Sequence, residues 1–103
     1  MGYKTVNLYQ GMTYNKVIKI DPNNLDAYFN RGDTKYYLKK DYDGALADYN
    51  KIIEIDPNNS DAYIKRGYIK YDLNDINGAC LDWSKAGELG YGYAYELIKE
   101  FCN

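Results

Sequence analysis

The sequence predicts an all-α protein, an α-solenoid built from antiparallel helix pairs. The main observation is an internal repeat: Asp21 recurs as Asp56, 35 positions later, and Gly44 recurs as Gly78, 34 positions later. Each copy opens on Asp-Pro-Asn-Asn and then carries two stretches with helical spacing of apolar residues. A period of this length is typical of stacked helix pairs, in which each unit buries its apolar face against the next.

Prolines and asparagines mark where the helices end and begin. Pro22 and Pro57 cannot continue a helix, so they end the preceding one. Asn24 and Asn59, two residues later, are suited to cap the next helix. We therefore expect helices at about 25–38, 43–55, 60–73 and 77–89.

The copies differ in length by one residue, where "KKDY" in the first stands against "NDI" in the second. Turns tolerate such differences, so a turn is predicted there. Gly90 is suited to end the last helix of the second copy.

The two ends of the chain depart from the repeat. Residues 91–103 lack Asp-Pro but place Ala94, Leu97, Ile98 and Phe101 on one apolar stripe, as expected for a capping helix. "YNKVIKIDPNN", residues 14–24, matches the end of the first full unit at residues 49–59. We interpret it as the second helix of a helix pair whose first helix is largely missing. Residues before it form either a degenerate helix of about 3–10 or a helix that runs through Gly11. The single domain thus divides into a partial repeat, two repeats and a cap, at residues 1–24, 25–59, 60–90 and 91–103.

Composition excludes several classes of function. The net charge of −2 offers no attraction for nucleic acid or an anionic membrane, and no stretch is long and apolar enough to span a bilayer. The absence of histidine removes the commonest general base and metal ligand, so no enzyme activity, cofactor or metal is expected. Cys80 and Cys102 are too few for a disulfide framework and are interpreted as reduced thiols of a cytoplasmic protein.

Small and aromatic residues recur at matching positions in the two units. They are Tyr28, Gly32, Ala45, Tyr49 and Pro57 in the first unit, and Tyr63, Gly67, Ala79 and Trp83 in the second. In these residues, over about Tyr14 to Leu89, the chain resembles the tetratricopeptide repeat family. It departs from the family at Arg31 and Arg66, where leucine is common, and the second unit lacks the closing proline.

The resemblance implies a concave groove, lined by the first helix of each unit, that holds a peptide of a partner protein. The positions that would line it are Asp26, Phe29, Asp33, Tyr36, Tyr37, Asp61, Ile64, Tyr68, Tyr71 and Asp72. Such a groove would be aromatic and acidic, with Lys65 only at its edge. It is expected to take an apolar or basic segment, and not the acidic C-terminal tails of chaperones that some members of the family bind with basic residues. The alternative is that these aromatic residues only pack the first helices against one another.

Arg31 and Arg66 each lie on the packed face of the first helix of their unit. A guanidinium in such a position is expected to need a carboxylate partner. We predict the pairs Arg31–Asp48 and Arg66–Asp82. The alternative is a column of free basic residues, Arg31, Lys35, Arg66 and Lys70, that binds anions.

A second functional hypothesis is self-assembly, as a homodimer or by domain swapping, through the incomplete first repeat. The residues proposed for that interface are Val6, Tyr9, Met12, Val17 and Ile20.

Overall fold

The computed structural model describes residues 11–102 of the chain, and the statements that follow concern that range. It contains six α-helices and no strand, in agreement with the predicted all-α solenoid. Each helix packs on the next one along the chain. The helices are α1 (Tyr14–Ile20), α2 (Leu25–Asp33), α3 (Tyr42–Ile55), α4 (Ser60–Asp72), α5 (Ile76–Glu88) and α6 (Tyr93–Phe101).

The predicted helix ends are confirmed to within about one residue. The side chain of Asn24 accepts a hydrogen bond from the Ala27 amide at 3.0 Å, and Asn59 accepts one from Ala62 at 3.1 Å. Gly90 follows α5 with φ of +101°, a left-handed conformation that favours glycine. The asparagine caps therefore mark where α2 and α4 begin, and Gly90 marks where α5 ends.

The extra residue of the first unit lies in a helix and not in the turn, which corrects the prediction. α2 continues into a π-helical turn, Thr34–Leu38, in which the amide of Lys39 bonds to the carbonyl of Thr34. The turn that follows is the same in both units, since Lys40 and Asn74 adopt equivalent left-handed conformations with φ of 54° and 66°. A π-helical turn accommodates one more residue without moving the start of the next helix.

Two glycines let each first helix approach the aromatic residue of its second helix. A β-carbon on Gly67 would lie 2.4 Å from Nε1 of Trp83, and one on Gly32 would lie 3.1 Å from the ring of Tyr49. Tyr49 and Trp83 are both fully buried. The close helix approach expected from the recurring small residues is therefore present in both units.

Helix α6 covers the end of the second unit, as predicted. Ala94 and Leu97 are buried, and Phe101 lies against Trp83 and Tyr71 with ring centroids 5.9 and 5.0 Å away. At the other end, the prediction of a helix running through Gly11 is wrong, because Gly11 has φ of +83° and α1 begins only at Tyr14. The alternative helix of about 3–10 lies outside the described residues.

Both predicted arginine pairs are confirmed. The guanidinium of Arg31 donates to Asp48 with a shortest distance of 2.6 Å, and that of Arg66 donates to Asp82, also at 2.6 Å. The remaining terminal nitrogen of Arg66 donates to the side chain of Asn50 in α3, at 3.0 Å. Each arginine thus links the second helix of its own unit to the second helix of the preceding unit.

The first unit repeats this arrangement, with Asn15 of α1 accepting from Arg31 at 2.9 Å. Lys35 and Lys70 approach the same aspartates, at 3.6 and 3.1 Å. The four basic residues are therefore engaged with Asp48 and Asp82, which argues against the alternative of a free anion-binding column.

The prediction that Cys80 and Cys102 are reduced thiols is wrong, because they form a disulfide. The cysteines lie 22 positions apart in sequence, but α6 folds back along α5 and brings their Cα atoms to 5.9 Å. That separation lies within the usual disulfide range. The bond fastens the end of the capping helix to α5.

Breaking the Arg66–Asp82 pair should destabilise the protein strongly. Asp82 is only 4% exposed, so in an Arg66→Met variant its carboxylate keeps Lys70 and loses its two hydrogen bonds to the arginine. We expect the free energy of unfolding in urea to fall by about 2–3 kcal/mol. Lys51→Met, which removes an exposed pair with Glu54, is the control and should cost less than about 0.5 kcal/mol. Equal losses in the two variants would contradict a structural role for Arg66.

Reduction of the disulfide should lower stability and release α6 first. In the chain-entropy model, a disulfide that closes a loop of 22 residues raises the free energy of unfolding by about 3 kcal/mol. Urea unfolding followed by circular dichroism, with and without a thiol reductant, measures the difference. A double variant, Cys80→Ser with Cys102→Ser, should match the reduced protein and should not respond to reductant. An oxidised protein that is no more stable than this variant would contradict the prediction.

Candidate functional site

The first helices of the two units form one surface, which we call the groove: α2 with its π-helical turn, and α4. Two side-chain contacts join α2 to α4 across it. The ammonium of Lys65 lies 2.7 Å from both carboxylate oxygens of Asp33, and the hydroxyl of Tyr36 donates to Asp72. These contacts fix the spacing of the two first helices.

Nine of the ten residues predicted for the groove are at least partly accessible. Phe29, Asp33, Tyr36 and Tyr68 are half-buried, and Asp26, Tyr37, Asp61, Tyr71 and Asp72 are exposed. Ile64 is the exception. It is 4% exposed, packs in the core of the second unit, and its carbonyl accepts a hydrogen bond from Nε1 of Trp83. The prediction that Ile64 lines the groove is wrong, because α4 buries that position against α5.

The alternative prediction was that the aromatic residues of the groove only pack the helices against one another. It applies to some of these residues and not to others. Tyr71 is 36% exposed, and its ring lies against Phe101 and Trp83, so one face belongs to the core under the cap. Tyr37 is 58% exposed, so most of its surface is open to a ligand. The groove therefore combines structural and accessible rings.

The groove is less acidic than the sequence suggested, because two of its carboxylates are engaged. Asp33 binds Lys65 and also accepts a hydrogen bond from the hydroxyl of buried Tyr49. Burial and this hydrogen bond raise the pKa of Tyr49 above its ordinary value, so the hydroxyl stays protonated as the donor. Burial and the hydrogen bond with Asp72 likewise raise the pKa of Tyr36.

The sequence analysis placed Lys65 at the edge of the groove, whereas in the structure it lies within the groove. Besides its contact with Asp33, its ammonium lies 5.6 Å from the ring centroid of Phe29. It therefore neutralises Asp33 and covers part of the Phe29 ring, because a cation over an aromatic face is attracted by the ring.

Sequence reasoning did not single out two further accessible rings, Tyr91 and Tyr93, at the start of the capping segment. Their ring centroids lie 6.5 Å apart, and Tyr93 is 56% exposed. Burial raises the pKa of the Tyr68 hydroxyl, and the hydroxyls of Tyr93, Tyr91 and Tyr37 add to that shift. The run "YGYAY" after Gly90, where a third unit would place Asp-Pro-Asn-Asn, was the signal that could have found them.

The surface proposed for self-association is only partly available. Val17 is 5% exposed and is buried by the domain itself, which removes it from such an interface, whereas Met12 and Ile20 are exposed. Val6 and Tyr9 lie outside the described residues. Met12 and Tyr14 border a cavity of about 180 Å³ between α1 and α2.

Within residues 11–102, no cluster of histidine, cysteine or carboxylate side chains has the arrangement of a metal site. Nor does that range contain a helix long and apolar enough to cross a bilayer. The accessible side chains of the groove are aromatic rings, tyrosine hydroxyls and carboxylates.

Comparison with known proteins agrees with this architecture. A family model described as a TPR repeat matches residues 34–74, and one described as a tetratricopeptide repeat matches residues 13–47. No curated protein matches the chain in sequence. Among solved structures, the first tetratricopeptide repeat domain of Spaghetti (RPAP3), bound to the HSP90 peptide SRMEEVD, is similar to it with a TM-score of 0.77 and 26% identity. The match covers 85% of this chain and 71% of that one.

The two family models overlap and together extend from residue 13 to residue 74, across the helix pairs in which the small and aromatic residues recur. The fold, the repeat and these matches agree, and the chain belongs to the tetratricopeptide repeat family as a protein-interaction module.

Proposed function

We propose that the groove binds an extended, apolar or basic peptide segment of a partner protein. The observation that carries the proposal is the engagement of Lys65 by both oxygens of Asp33, beside the accessible rings of Phe29, Tyr37 and Tyr68. An acidic ligand would have to displace Asp33 from Lys65. An apolar ligand would meet aromatic faces, and a basic one would meet carboxylates.

The charge distribution supports the same preference. Arg31 and Arg66 lie on the packed face, where Asp48 and Asp82 hold them, and so they do not supply positive charge to the groove. Asp26 and Asp61 are exposed in the first turns of α2 and α4. Three residues of the peptide SRMEEVD are acidic, so we propose that the ligand of the similar structure does not carry over to this chain.

The proposed mechanism is passive recognition by a surface that is already formed. The Phe29 ring lies 6.2 Å from that of Tyr49, and the Tyr68 ring lies 5.9 Å from that of Trp83. Rings that are already held in place lose little freedom when a ligand binds, so less of the contact energy is spent on ordering them.

Other parts of the hypothesis remain predictions. The family is typically non-enzymatic, and the net charge of −2 supports a protein partner over nucleic acid or a membrane. Self-association through Met12 and Ile20 stays an alternative, weakened by the burial of Val17. The Cys80–Cys102 disulfide argues against the predicted cytoplasmic location, because disulfides are rare in reducing compartments.

Matched peptides test the charge preference. We expect fluorescently labelled SRMKKVK, in which lysines replace the acidic residues of SRMEEVD, to bind at least about tenfold more tightly than SRMEEVD itself. The reason is that opposite charges across the contact attract and like charges repel. Fluorescence anisotropy measures both affinities, and raising the salt concentration should reduce the difference.

Two variants locate the binding site. Phe29→Ala should weaken binding of SRMKKVK, because it removes a ring from the groove. Leu81→Ala is the control, since Leu81 is 72% exposed and lies on α5, a second helix. Tighter binding of SRMEEVD than of SRMKKVK, or an equal effect of the two variants, would disprove the proposal.

A further inference from the structure

The Cys80–Cys102 disulfide fastens the far end of the capping helix α6 to α5. At its start, α6 is joined to α5 through a short connection that contains two glycines. Between these ends, the side chains that α6 buries fully are Ala94 and Leu97. Breaking the disulfide therefore removes the covalent tie at the far end of a helix of only 9 residues.

Aromatic contacts connect that far end to the groove. Phe101 directly precedes Cys102 in the sequence. Its ring centroid lies 5.0 Å from that of Tyr71 and 5.9 Å from that of Trp83. The Trp83 ring lies 5.9 Å from that of Tyr68. Tyr68 and Tyr71 are groove residues that are accessible at least in part, so the end of α6 supports one of them directly and the other through Trp83.

The disulfide can be reached from solvent. Cys80 and Cys102 are both half-buried and not fully enclosed. An open cavity of about 420 Å³ lies beside Cys80 and borders Leu81, which is 72% exposed. Exchange between a thiol and a disulfide requires that the attacking sulfur reach one of the bonded sulfurs, and the cavity leaves room for that approach.

We propose that the Cys80–Cys102 disulfide is a redox switch of the groove: the oxidised form holds the rings of Tyr68 and Tyr71 in place for a ligand, and reduction frees α6 and weakens binding. The inference rests on the proposed function and adds its regulation.

The reductant of the switch is a dithiol. One of its sulfurs bonds to one cysteine sulfur as the Cys80–Cys102 bond breaks, and its second sulfur then displaces that cysteine. The protein gains two electrons and two protons and ends with two thiols, while the dithiol becomes a cyclic disulfide.

Tryptophan fluorescence and peptide binding test the switch together. Trp83 is the single tryptophan of the chain and is 1% exposed, so its emission reports closure of the cap without any ligand. In dithiothreitol, under conditions where circular dichroism shows a folded protein, we expect Trp83 emission to move to longer wavelength. Binding of labelled SRMKKVK, followed by anisotropy, should weaken about two- to tenfold, which corresponds to an open cap in roughly half to nine-tenths of the reduced molecules.

The double variant Cys80→Ser with Cys102→Ser is the control for the reductant. It should bind SRMKKVK as the reduced protein does, and dithiothreitol should not change its affinity. Phe101→Leu and Tyr95→Leu are a matched pair for the aromatic contacts, because Tyr95 lies on the same helix, is 57% exposed and has its ring beside Gly87 of α5. With the disulfide intact, Phe101→Leu should weaken binding and Tyr95→Leu should not.

The outcomes separate the switch from the proposal beneath it. Equal affinity of the oxidised and reduced forms for SRMKKVK overturns the switch and leaves the proposed function intact, whether or not Trp83 emission moves. A double variant that responds to dithiothreitol, or equal effects of Phe101→Leu and Tyr95→Leu, also overturns it. Absence of peptide binding in both forms overturns the switch and the proposed function. Weaker binding by the reduced protein and by the double variant supports the switch.

Discussion

The solenoid depends on one repeated contact, an arginine held between the second helices of two successive units. Arg66 binds Asp82 in its own unit and Asn50 in the preceding one, and the hydrogen bond to Asp82 raises the pKa of its guanidinium. A charged pair removed from water is stable only if its hydrogen bonds are well made, so the geometry tolerates little displacement. Asp82 is 4% exposed, and the contact therefore fixes the distance between neighbouring second helices.

The constraint on the packed face leaves the opposite face of the first helices open. Because the arginines are used between the helices, the positive charge of the repeat is kept away from the groove. The groove keeps aromatic rings and the exposed carboxylates of Asp26 and Asp61, while Lys65 is paired with Asp33. A chain built from the same repeat with leucine at the arginine positions would not need Asp48 or Asp82, and the link between packing and groove charge would be lost.

The internal repeat explains how much of the fold and of the groove could be predicted from the sequence. Helix ends, the cap and the pairs of Arg31 and Arg66 follow from local signals or from features that occur twice, and these predictions were confirmed. The disulfide and Tyr91 occur once, so no second copy pointed to their contacts. The predicted turn is present, but the extra residue lies in the π-helical turn before it, since the position of an inserted residue depends on which hydrogen bonds the backbone can remake. Ile64 was misplaced because periodicity gives the face of a helix but not how deeply its neighbour covers it.

The capping helix stabilises the core of the second unit and also supports one ring of the groove. Ala94 and Leu97 of α6 are buried in the core, while Tyr93 at its start is exposed. Its far end is fastened by the Cys80–Cys102 disulfide. A chain of rings connects the far end of α6 to the groove. The ring centroid of Trp83 lies 5.9 Å from that of Phe101 and 5.9 Å from that of Tyr68. A displacement of α6 would therefore separate Phe101 from Trp83, the ring on which Tyr68 of the groove rests, so the packing of that groove ring depends on the capping helix.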